Sequence, residues 1–332
     1  MSLNRVELFK DLYSLSQKDS DVNYDSIVRY KKLSFFYGLS FIPHQAIPIF
    51  QKIADTYQVV SKYQKLLKGD TIGESNDQKV LFHLGRRPGA QNPFHKELMR
   101  MKYFSEQVIQ KQIKGYTQRP FTDIIQIGIG GSYLGPEAMY HALSVYTVKK
   151  NKQPFLNGHF ISNVDPLEFK MKLQYINPET TLFIFASKSG STQETVSNMD
   201  LLKVWWAGQG HSLDSLPLHC VSITTKGSLM DNVDIAKFSF YINEYVGGRF
   251  SLSSPIGGLL LSVCFGSDVF FDILKGAHEI DVLSETMDVT QNIALLASFI
   301  SIWNRNIKNY GSNAIVPYSY ALSKFPAHVQ QV

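Results

Sequence analysis

The sequence predicts an α/β protein with a parallel sheet and crossover helices, preceded by a helical N-terminal segment. Two observations support this fold class. Between residues 120 and 290, short apolar and β-branched runs alternate with helix-length segments, which is typical of parallel strands joined by helices. Before residue 118, apolar residues instead recur at three- and four-residue steps, the spacing that lines one face of a helix.

The predicted strands are short runs of mostly apolar residues that each precede a turn or a helix. In chain order they are DIIQIGIG, HFISNV, TLFIFAS, LHCVSIT and KFSFYI. Because helix-length segments separate them, we expect these strands to lie parallel in one sheet.

The N-terminal segment contains two predicted helices. The first covers residues 43–67, with Gly69 as a natural stop, and the second covers residues 93–114, with Gly115 just past its end. The stretch at 85–89 contains glycine and proline and is predicted to be the loop between them.

After residue 290 the sequence predicts one more helix, IALLASFISIWNRNI, and then a strand at 314–318. A lone strand with one partial helix cannot build a core. We therefore interpret this part as a linking helix and the start of a truncated second domain. The predicted domains are residues 1–118, 119–290 and 291–332.

The composition is that of a protein with a sizeable core. The 332 residues are 44% hydrophobic and 18% charged, and the length suggests about two domains. The longest apolar run, about residues 256–266, is too short to cross a bilayer. The N-terminus MSLNRVELFKD carries charges where a secretion signal needs an apolar core. We therefore expect a cytoplasmic protein with no membrane partner.

The charges and cysteines exclude two further classes. The net charge of +5 comes from 33 basic and 28 acidic residues that are scattered along the chain. A nucleic-acid binder usually gathers its basic residues on one face, so no nucleic-acid partner is expected. Cys220 and Cys264 lie in apolar stretches and are interpreted as small buried side chains, because a secreted disulfide framework needs more cysteines.

The first candidate motif, GIGGSYLGP at 128–136, follows the first predicted strand. Glycines let backbone amides approach a ligand, and a helix N-terminus behind them favours negative charge. A dinucleotide fingerprint does not fit, because its third glycine would fall at Tyr133. The motif is either a ligand-binding turn or a tight strand-to-helix turn without a ligand.

The second motif, SKSGSTQET at 187–195, lies between the strand TLFIFAS and a predicted helix. Hydroxyls and free amides at a helix N-terminus can donate to several phosphate oxygens, and the helix dipole adds attraction. A Walker loop does not fit, because Lys188 precedes Gly190 instead of following it. The alternative is an elaborate helix cap, although four hydroxyls exceed what one cap needs.

The third motif, VGGRFSLSSPIGG at 246–258, places Arg249 directly after two glycines. The planar, permanently charged guanidinium suits a phosphate or a developing oxyanion. Pro255 fits the first turn of the next helix. The alternative is an arginine that is paired on the surface beside a flexible loop.

Together these motifs resemble those of the phosphoglucose isomerase family in their order and spacing. The ending FPAHVQQ, at 325–331, resembles the stretch before that family's catalytic glutamate. The resemblance is specific from about residue 120 to 331 and weak over the N-terminal helices. It implies tandem sugar-isomerase (SIS) domains of the doubly wound type, with helices on both faces of the sheet. It also implies a homodimer without metal or organic cofactor, and reversible isomerisation of glucose 6-phosphate and fructose 6-phosphate in glycolysis and gluconeogenesis.

The resemblance assigns expected roles residue by residue. The substrate phosphate is expected to bind four residues of the second motif: Ser187, Lys188, Ser189 and Thr192. The sugar is expected to contact Gly131, Ser132 and Gln331. Arg249 matches the arginine that stabilises the enediolate. Glu194 matches an acid of the second motif, which we interpret as supporting the loop rather than as the base.

The family's catalytic base is a glutamate that follows the matched ending. A ring-opening histidine, donated across the dimer, and a lysine lie further on. None of the three falls within residues 1–332, so the resemblance predicts little activity for this chain alone. The alternative function is a non-catalytic sugar-phosphate-binding module or regulator. A regulator needs an output domain such as a helix-turn-helix, and the N-terminal helices lack its basic recognition face.

Overall fold

The computed structural model describes residues 7–17, 22–71 and 79–332. The predicted N-terminal helical segment also includes residues 1–6, 18–21 and 72–78, which lie outside the described residues. The helices are α1 (Glu7–Ser16), α2 (Ala46–Thr56), α3 (Val59–Lys68), α4 (His95–Ile109), α5 (Leu134–Lys149), α6 (Pro166–Leu173), α7 (Gln193–Gly208), α8 (Pro255–Phe265), α9 (Ser267–Leu283), α10 (Ile293–Ile302) and α11 (Phe325–Gln331). The strands are β1 (Ile27–Tyr30), β2 (Leu33–Phe36), β3 (Asp123–Ile127), β4 (Asn157–Ile161), β5 (Thr181–Ala186), β6 (Cys220–Thr224) and β7 (Phe238–Tyr241).

The chain forms two compact units. The N-terminal unit takes its described residues from 1–79 and 276–315, and the sheet unit comprises 80–275 and 316–332. The divisions between these units do not coincide with the predicted domain boundaries at 118 and 290. The predicted boundaries stay a prediction, since compactness alone does not show which parts fold independently.

In the N-terminal unit, helices pack around aromatic side chains. The rings of Phe50 and Phe299 stack with centroids 4.9 Å apart, and Trp303 is fully buried beside them. The predicted helix IALLASFISIWNRNI is confirmed as α10 with a π-helical extension, Trp303–Ile307. The antiparallel hairpin of β1 and β2 was not predicted, because this segment was interpreted as helical.

The predicted helix at 43–67 is two helices, α2 and α3. Gln58 separates them with φ of 51°, a left-handed conformation that interrupts the helical hydrogen-bond ladder. Its apolar spacing continues across the break, so the pattern alone did not reveal it. Gly69 ends α3 with φ of 83°, as predicted.

The sheet unit contains the predicted parallel sheet, with strand order β4-β3-β5-β6-β7. All five predicted strands are present and every neighbouring pair is parallel. One face is covered by apolar residues of α4 and α8, and the other by those of α6 and α7. The prediction of a doubly wound α/β fold with helices on both faces is therefore confirmed.

The ends of two helices refine the predictions. The helix predicted at 93–114 begins at His95 and ends at Ile109, before Lys111 with φ of 63°. Pro255 occupies the first turn of α8, as predicted, and Ser254 caps this helix through its hydroxyl. Among the described residues, no helix is long and apolar enough to cross a membrane.

The strand predicted at 314–318 is wrong. These residues have no regular secondary structure, and Tyr318 is fully exposed. A β-branched run forms a strand only when a neighbouring strand pairs with it, and no described strand does so. Residues 316–332 instead belong to the sheet unit, where α11 packs against α5.

Buried titratable side chains of the sheet unit include Cys220 in β6, Cys264 in α8 and His219 just before β6. Cys220 and Cys264 are 1% and 0% exposed, as predicted, and burial raises the pKa of both thiols. His219 is also fully buried, at the start of β6. Its Nε2 accepts the Tyr116 amide at 3.1 Å, so its Nδ1–H donates to the Thr181 carbonyl at 2.9 Å. Burial lowers the pKa of His219, and this favours the neutral ring that the two hydrogen bonds need.

Candidate active site

The strand order determines where a ligand can bind. From β3 the chain crosses to β4 on one side and then returns to β5 on the other side. This reversal leaves a crevice at the carboxyl ends of β3 and β5, which is where open parallel sheets bind their ligands. Two of the three predicted motifs follow these two strands, and the third follows β7 at the same edge.

The first motif forms a turn, here called the glycine turn, at residues 128–133. It begins in close contact with the end of β5, because a Cβ at Gly128 would lie 2.9 Å from the Ala186 carbonyl oxygen. Gly130 has φ of 58°, which favours glycine. The 3-10 helix Gly130–Ser132 then leads into α5.

The glycine turn contacts the third motif, whose residues 247–253 are here called the arginine loop. A Cβ at Gly131 would collide with the Gly248 carbonyl oxygen and lie 2.8 Å from the Arg249 amide nitrogen. The Ser251 hydroxyl donates to the Gly131 carbonyl at 3.1 Å. No side chain fits at position 131, and Gly131 therefore lies directly against the backbone that carries Arg249.

The second motif forms the hydroxyl loop, residues 187–192, whose side chains converge on one another. The hydroxyls of Ser187 and Thr192 lie 2.8 Å apart, and that of Ser189 lies 3.4 Å from each. Ser187 is buried and also accepts the Gly190 amide at 3.2 Å. Three of the four predicted phosphate-binding residues thus present one cluster of donors.

The cluster lies at the N-terminus of α7. Thr192 is the N-cap residue of this helix, yet its side chain makes no capping hydrogen bond. The first amides of α7 therefore have no side-chain cap, and the positive end of the helix dipole lies beside the hydroxyls. This arrangement favours an anion site over the alternative of an elaborate helix cap.

Lys188 lies within this loop, and Glu194 follows it in α7. Lys188 Nζ donates to the Glu244 carbonyl at 2.9 Å, and the Lys188 carbonyl accepts the Thr225 amide and hydroxyl. Glu194 is half-buried in the first turn of α7, where a negative charge is favourable. The supporting role of Glu194 stays a prediction.

Arg249 is exposed on the arginine loop. Within the described part of the chain, its guanidinium has no hydrogen-bond or ion-pair partner, so the alternative of a paired surface arginine is not supported. The loop itself is anchored, because the Phe250 ring stacks on Phe82 with centroids 4.3 Å apart. A fixed backbone thus carries a cation that is available to a ligand.

The predicted site residue at the C-terminal end also reaches this site. Gln331, on α11, places Nε2 2.7 Å from where a Cβ of Gly130 would lie. Its Oε1 is buried without a hydrogen-bond partner in the described chain. The structure therefore brings Gly131, Arg249 and Gln331 together around the glycine turn.

Sequence reasoning missed two residues that hold these loops. Gln126 is a buried polar residue inside the apolar strand DIIQIGIG, and Ser251 is a buried serine of the arginine loop. Buried polar groups are nearly always hydrogen-bonded, so the glutamine within an apolar run was an available signal. The bonds that Ser251 makes depend on the tertiary fold and left no signal in the sequence.

The fold and the site define the class of protein: a doubly wound α/β protein with glycine-rich and hydroxyl-rich loops at the carboxyl ends of its strands. Comparison with known proteins identifies the family. A family model described as phosphoglucose isomerase matches residues 37–332. The chain belongs to the phosphoglucose isomerase family, which confirms the resemblance of its motifs.

Known relatives agree with this family. The chain is 35% identical to the glucose-6-phosphate isomerase of Borreliella burgdorferi, over 100% of this chain and 66% of that protein. It is 36% identical to the glucose-6-phosphate isomerase of Treponema denticola, over 97% of this chain and 62% of that protein. A crystal structure of a glucose-6-phosphate isomerase from Chlamydia trachomatis matches with a TM-score of 0.86 at 26% identity, covering 100% of this chain and 66% of that one. The chain thus spans 62–66% of the length of these relatives.

Proposed function

We propose that this chain provides the sugar-phosphate-binding part of a glucose-6-phosphate isomerase, which interconverts glucose 6-phosphate and fructose 6-phosphate. The observation that carries the proposal is the cluster of Ser187, Ser189 and Thr192 hydroxyls at the uncapped N-terminus of α7. A phosphate dianion there would accept hydrogen bonds from the hydroxyls and the helix amides together. By family membership we also propose a role in glycolysis and gluconeogenesis, as a cytoplasmic homodimer.

The geometry supports a division of labour along the substrate. With the phosphate in the hydroxyl loop, the sugar extends along the crevice towards the glycine turn, where Gly131, Ser132 and Gln331 would contact its hydroxyls. Isomerisation moves one proton between neighbouring carbons and one between their oxygens, so the atoms of the sugar are conserved. The intermediate is an enediolate whose oxygen carries negative charge.

Arg249 is proposed to stabilise that enediolate. Its guanidinium is unpaired within the described chain, and its backbone is fixed against the glycine turn. A preorganised donor aimed at a developing oxyanion typically contributes about 3–4 kcal/mol. We propose that this contribution acts on the transition state more than on the bound sugar.

The proton transfer also needs a base within reach of the carbon-bound proton. Glu194 is the one carboxylate in the three motifs, and it lies beside the phosphate end of the site. We therefore propose that the 332-residue chain by itself binds sugar phosphates but has little isomerase activity. A coupled dehydrogenase assay that gave an ordinary enzymatic rate, abolished by Glu194→Gln, would show that Glu194 is the base.

Calorimetric titration of the purified chain tests the binding proposal. We expect fructose 6-phosphate to bind and unphosphorylated fructose to bind far more weakly, because the phosphate provides the charge that the hydroxyl loop attracts. The double variant Ser187→Ala/Thr192→Ala should lose most of the affinity. Absence of binding to the wild-type chain, or full binding by the double variant, would refute the proposal.

A further inference from the structure

Gln126 is a buried polar residue of the parallel sheet. It lies in β3 between apolar neighbours, and it is 1% exposed. An unsatisfied amide at such a position costs free energy, so its hydrogen bonds indicate what it does. Both of its side-chain hydrogen bonds go to carbonyl oxygens, so the NH₂ end of the side chain makes them, while its Oε1 has no hydrogen-bond partner in the described chain.

The amide of Gln126 connects two segments that are far apart in the chain. Its Nε2 donates to the Ser132 carbonyl at 2.7 Å and to the Ile256 carbonyl at 3.1 Å. Ser132 belongs to the glycine turn, and Ile256 follows the arginine loop at the start of α8. One side chain thus fixes the glycine turn and the end of the arginine loop on the same strand.

Ser251 makes a second connection between the same segments. It is fully buried, and its hydroxyl donates to the Gly131 carbonyl at 3.1 Å. The carbonyls of Gly131 and Ser132 are therefore both held by side-chain donors. Arg249 lies two residues before Ser251, so its position depends on the same contacts.

The hydroxyl loop is held by other groups. The Ser187 amide donates to the Ile223 carbonyl, and the Thr225 amide donates to the Lys188 carbonyl, both at 3.0 Å. Neither Gln126 nor Ser251 has a bond to this loop among those of the described residues. The side-chain hydrogen bonds that hold the glycine turn against the arginine loop are thus separate from the hydrogen bonds that hold the hydroxyl loop.

We propose that Gln126 and Ser251 are positioning residues, which fix the glycine turn against the arginine loop and so set affinity for the sugar without setting affinity for the phosphate. This inference rests on the proposed sugar-phosphate binding at the same site. A purely structural role would weaken both affinities together, through loss of folded protein. A positioning role lowers the affinity for the sugar phosphate and leaves the affinity for inorganic phosphate unchanged.

The test compares Ser251→Ala and Gln126→Met with Ser262→Ala. Ser262 is also fully buried, in α8, but its hydroxyl has no hydrogen-bond partner within the described chain, so it is a matched control for Ser251. Each protein is titrated with fructose 6-phosphate and with inorganic phosphate. Ser251→Ala removes one of these hydrogen bonds and Gln126→Met removes two. Because loss of one hydrogen bond corresponds to about a fivefold change, we expect fructose 6-phosphate affinity to fall about fivefold in Ser251→Ala and at least about tenfold in Gln126→Met. Inorganic phosphate affinity should change less than about twofold, and Ser262→Ala should match the wild type for both ligands.

Amide hydrogen exchange of the same proteins without ligand gives a second, independent readout. We expect faster exchange in residues 129–135 and 247–253 of Ser251→Ala and Gln126→Met, with unchanged exchange in residues 187–192 and in Ser262→Ala. Unchanged exchange in the first two segments, or equal losses of both affinities, would overturn the inference. A wild-type chain that bound neither ligand would refute the proposed function, and the exchange result would still decide whether the two residues position these loops.

Discussion

Replacing Ser187 by alanine should remove the centre of the hydroxyl loop. Ser187 is 2% exposed, and its hydroxyl lies 2.8 Å from the Thr192 hydroxyl and 3.2 Å from the Gly190 amide. A hydrogen bond to a charged group contributes about 1.5–3 kcal/mol, which corresponds to roughly 10- to 150-fold in affinity. We therefore expect Ser187→Ala to weaken inorganic phosphate and fructose 6-phosphate binding by at least tenfold.

Ser191→Ala is the matched control within the same loop. Ser191 is exposed, and among the described residues its hydroxyl makes one hydrogen bond, to the Ser189 hydroxyl at 3.2 Å. Its loss should change either affinity by less than about threefold, since a single exposed bond contributes little. Isothermal titration calorimetry at fixed pH and salt measures both variants, and circular dichroism checks that they are folded. If Ser187→Ala and Ser191→Ala bound phosphate equally well, the hydroxyl loop would not be the phosphate site.

Three further predictions concern packing, pH and charge. Gly131→Ala brings a Cβ to 2.8 Å from the Arg249 amide nitrogen and should lower the free energy of unfolding by about 1–3 kcal/mol. Gly208→Ala is the control, because its Cβ would meet no atom within 4 Å, and it should not lower stability. Thermal unfolding of the two variants measures the difference. The pKa of His219 is lowered in the folded state, so the neutral ring's contribution to the free energy of unfolding is fully present above the unfolded-state pKa of about 6.5. This contribution is lost as the pH falls through the folded-state pKa. His219→Gln should therefore flatten the decrease in unfolding free energy below about pH 6.5, measured by urea titration with tryptophan fluorescence. An unchanged pH curve would contradict this. Arg249→Ala should change stability by less than about 0.5 kcal/mol, and in an active isomerase containing this segment it should lower kcat much more than it raises KM; an unchanged kcat would exclude the proposed role.

The sheet could be predicted from the sequence because its strands are buried on both faces. TLFIFA and CVSIT are buried along their whole length, so selection for burial leaves continuous runs of apolar or small residues. The helix-length gaps then required crossover connections and parallel strands. The loops at the carboxyl ends followed from the same pattern, because glycines and hydroxyls come directly after the strands.

The misses have physical causes that the sequence does not display. Gln58 adopts a left-handed conformation within a continuous helical pattern, so the break between α2 and α3 was not visible. The run at 314–318 has the residues of a strand but no described neighbour to pair with it. Local preference predicts an element only when tertiary contacts agree with it.

The sequence allowed us to name candidate site residues but did not predict the contacts between them. Sequence spacing could not show that the Ser251 hydroxyl bonds to the Gly131 carbonyl, 120 positions earlier in the chain. Nor could it show that Gln331 reaches Gly130. These contacts depend on how α8 and α11 pack within the sheet unit, which is determined by contacts between residues far apart in the chain.

The central claim is that the hydroxyl loop binds the phosphate of a sugar phosphate. A crystal structure of this chain with fructose 6-phosphate tests it most directly. The account predicts phosphate density within hydrogen-bond distance of the Ser187, Ser189 and Thr192 hydroxyls at the N-terminus of α7, with the sugar directed towards the glycine turn and Arg249. Fructose 6-phosphate bound with its phosphate elsewhere, and the hydroxyl loop empty, would contradict it.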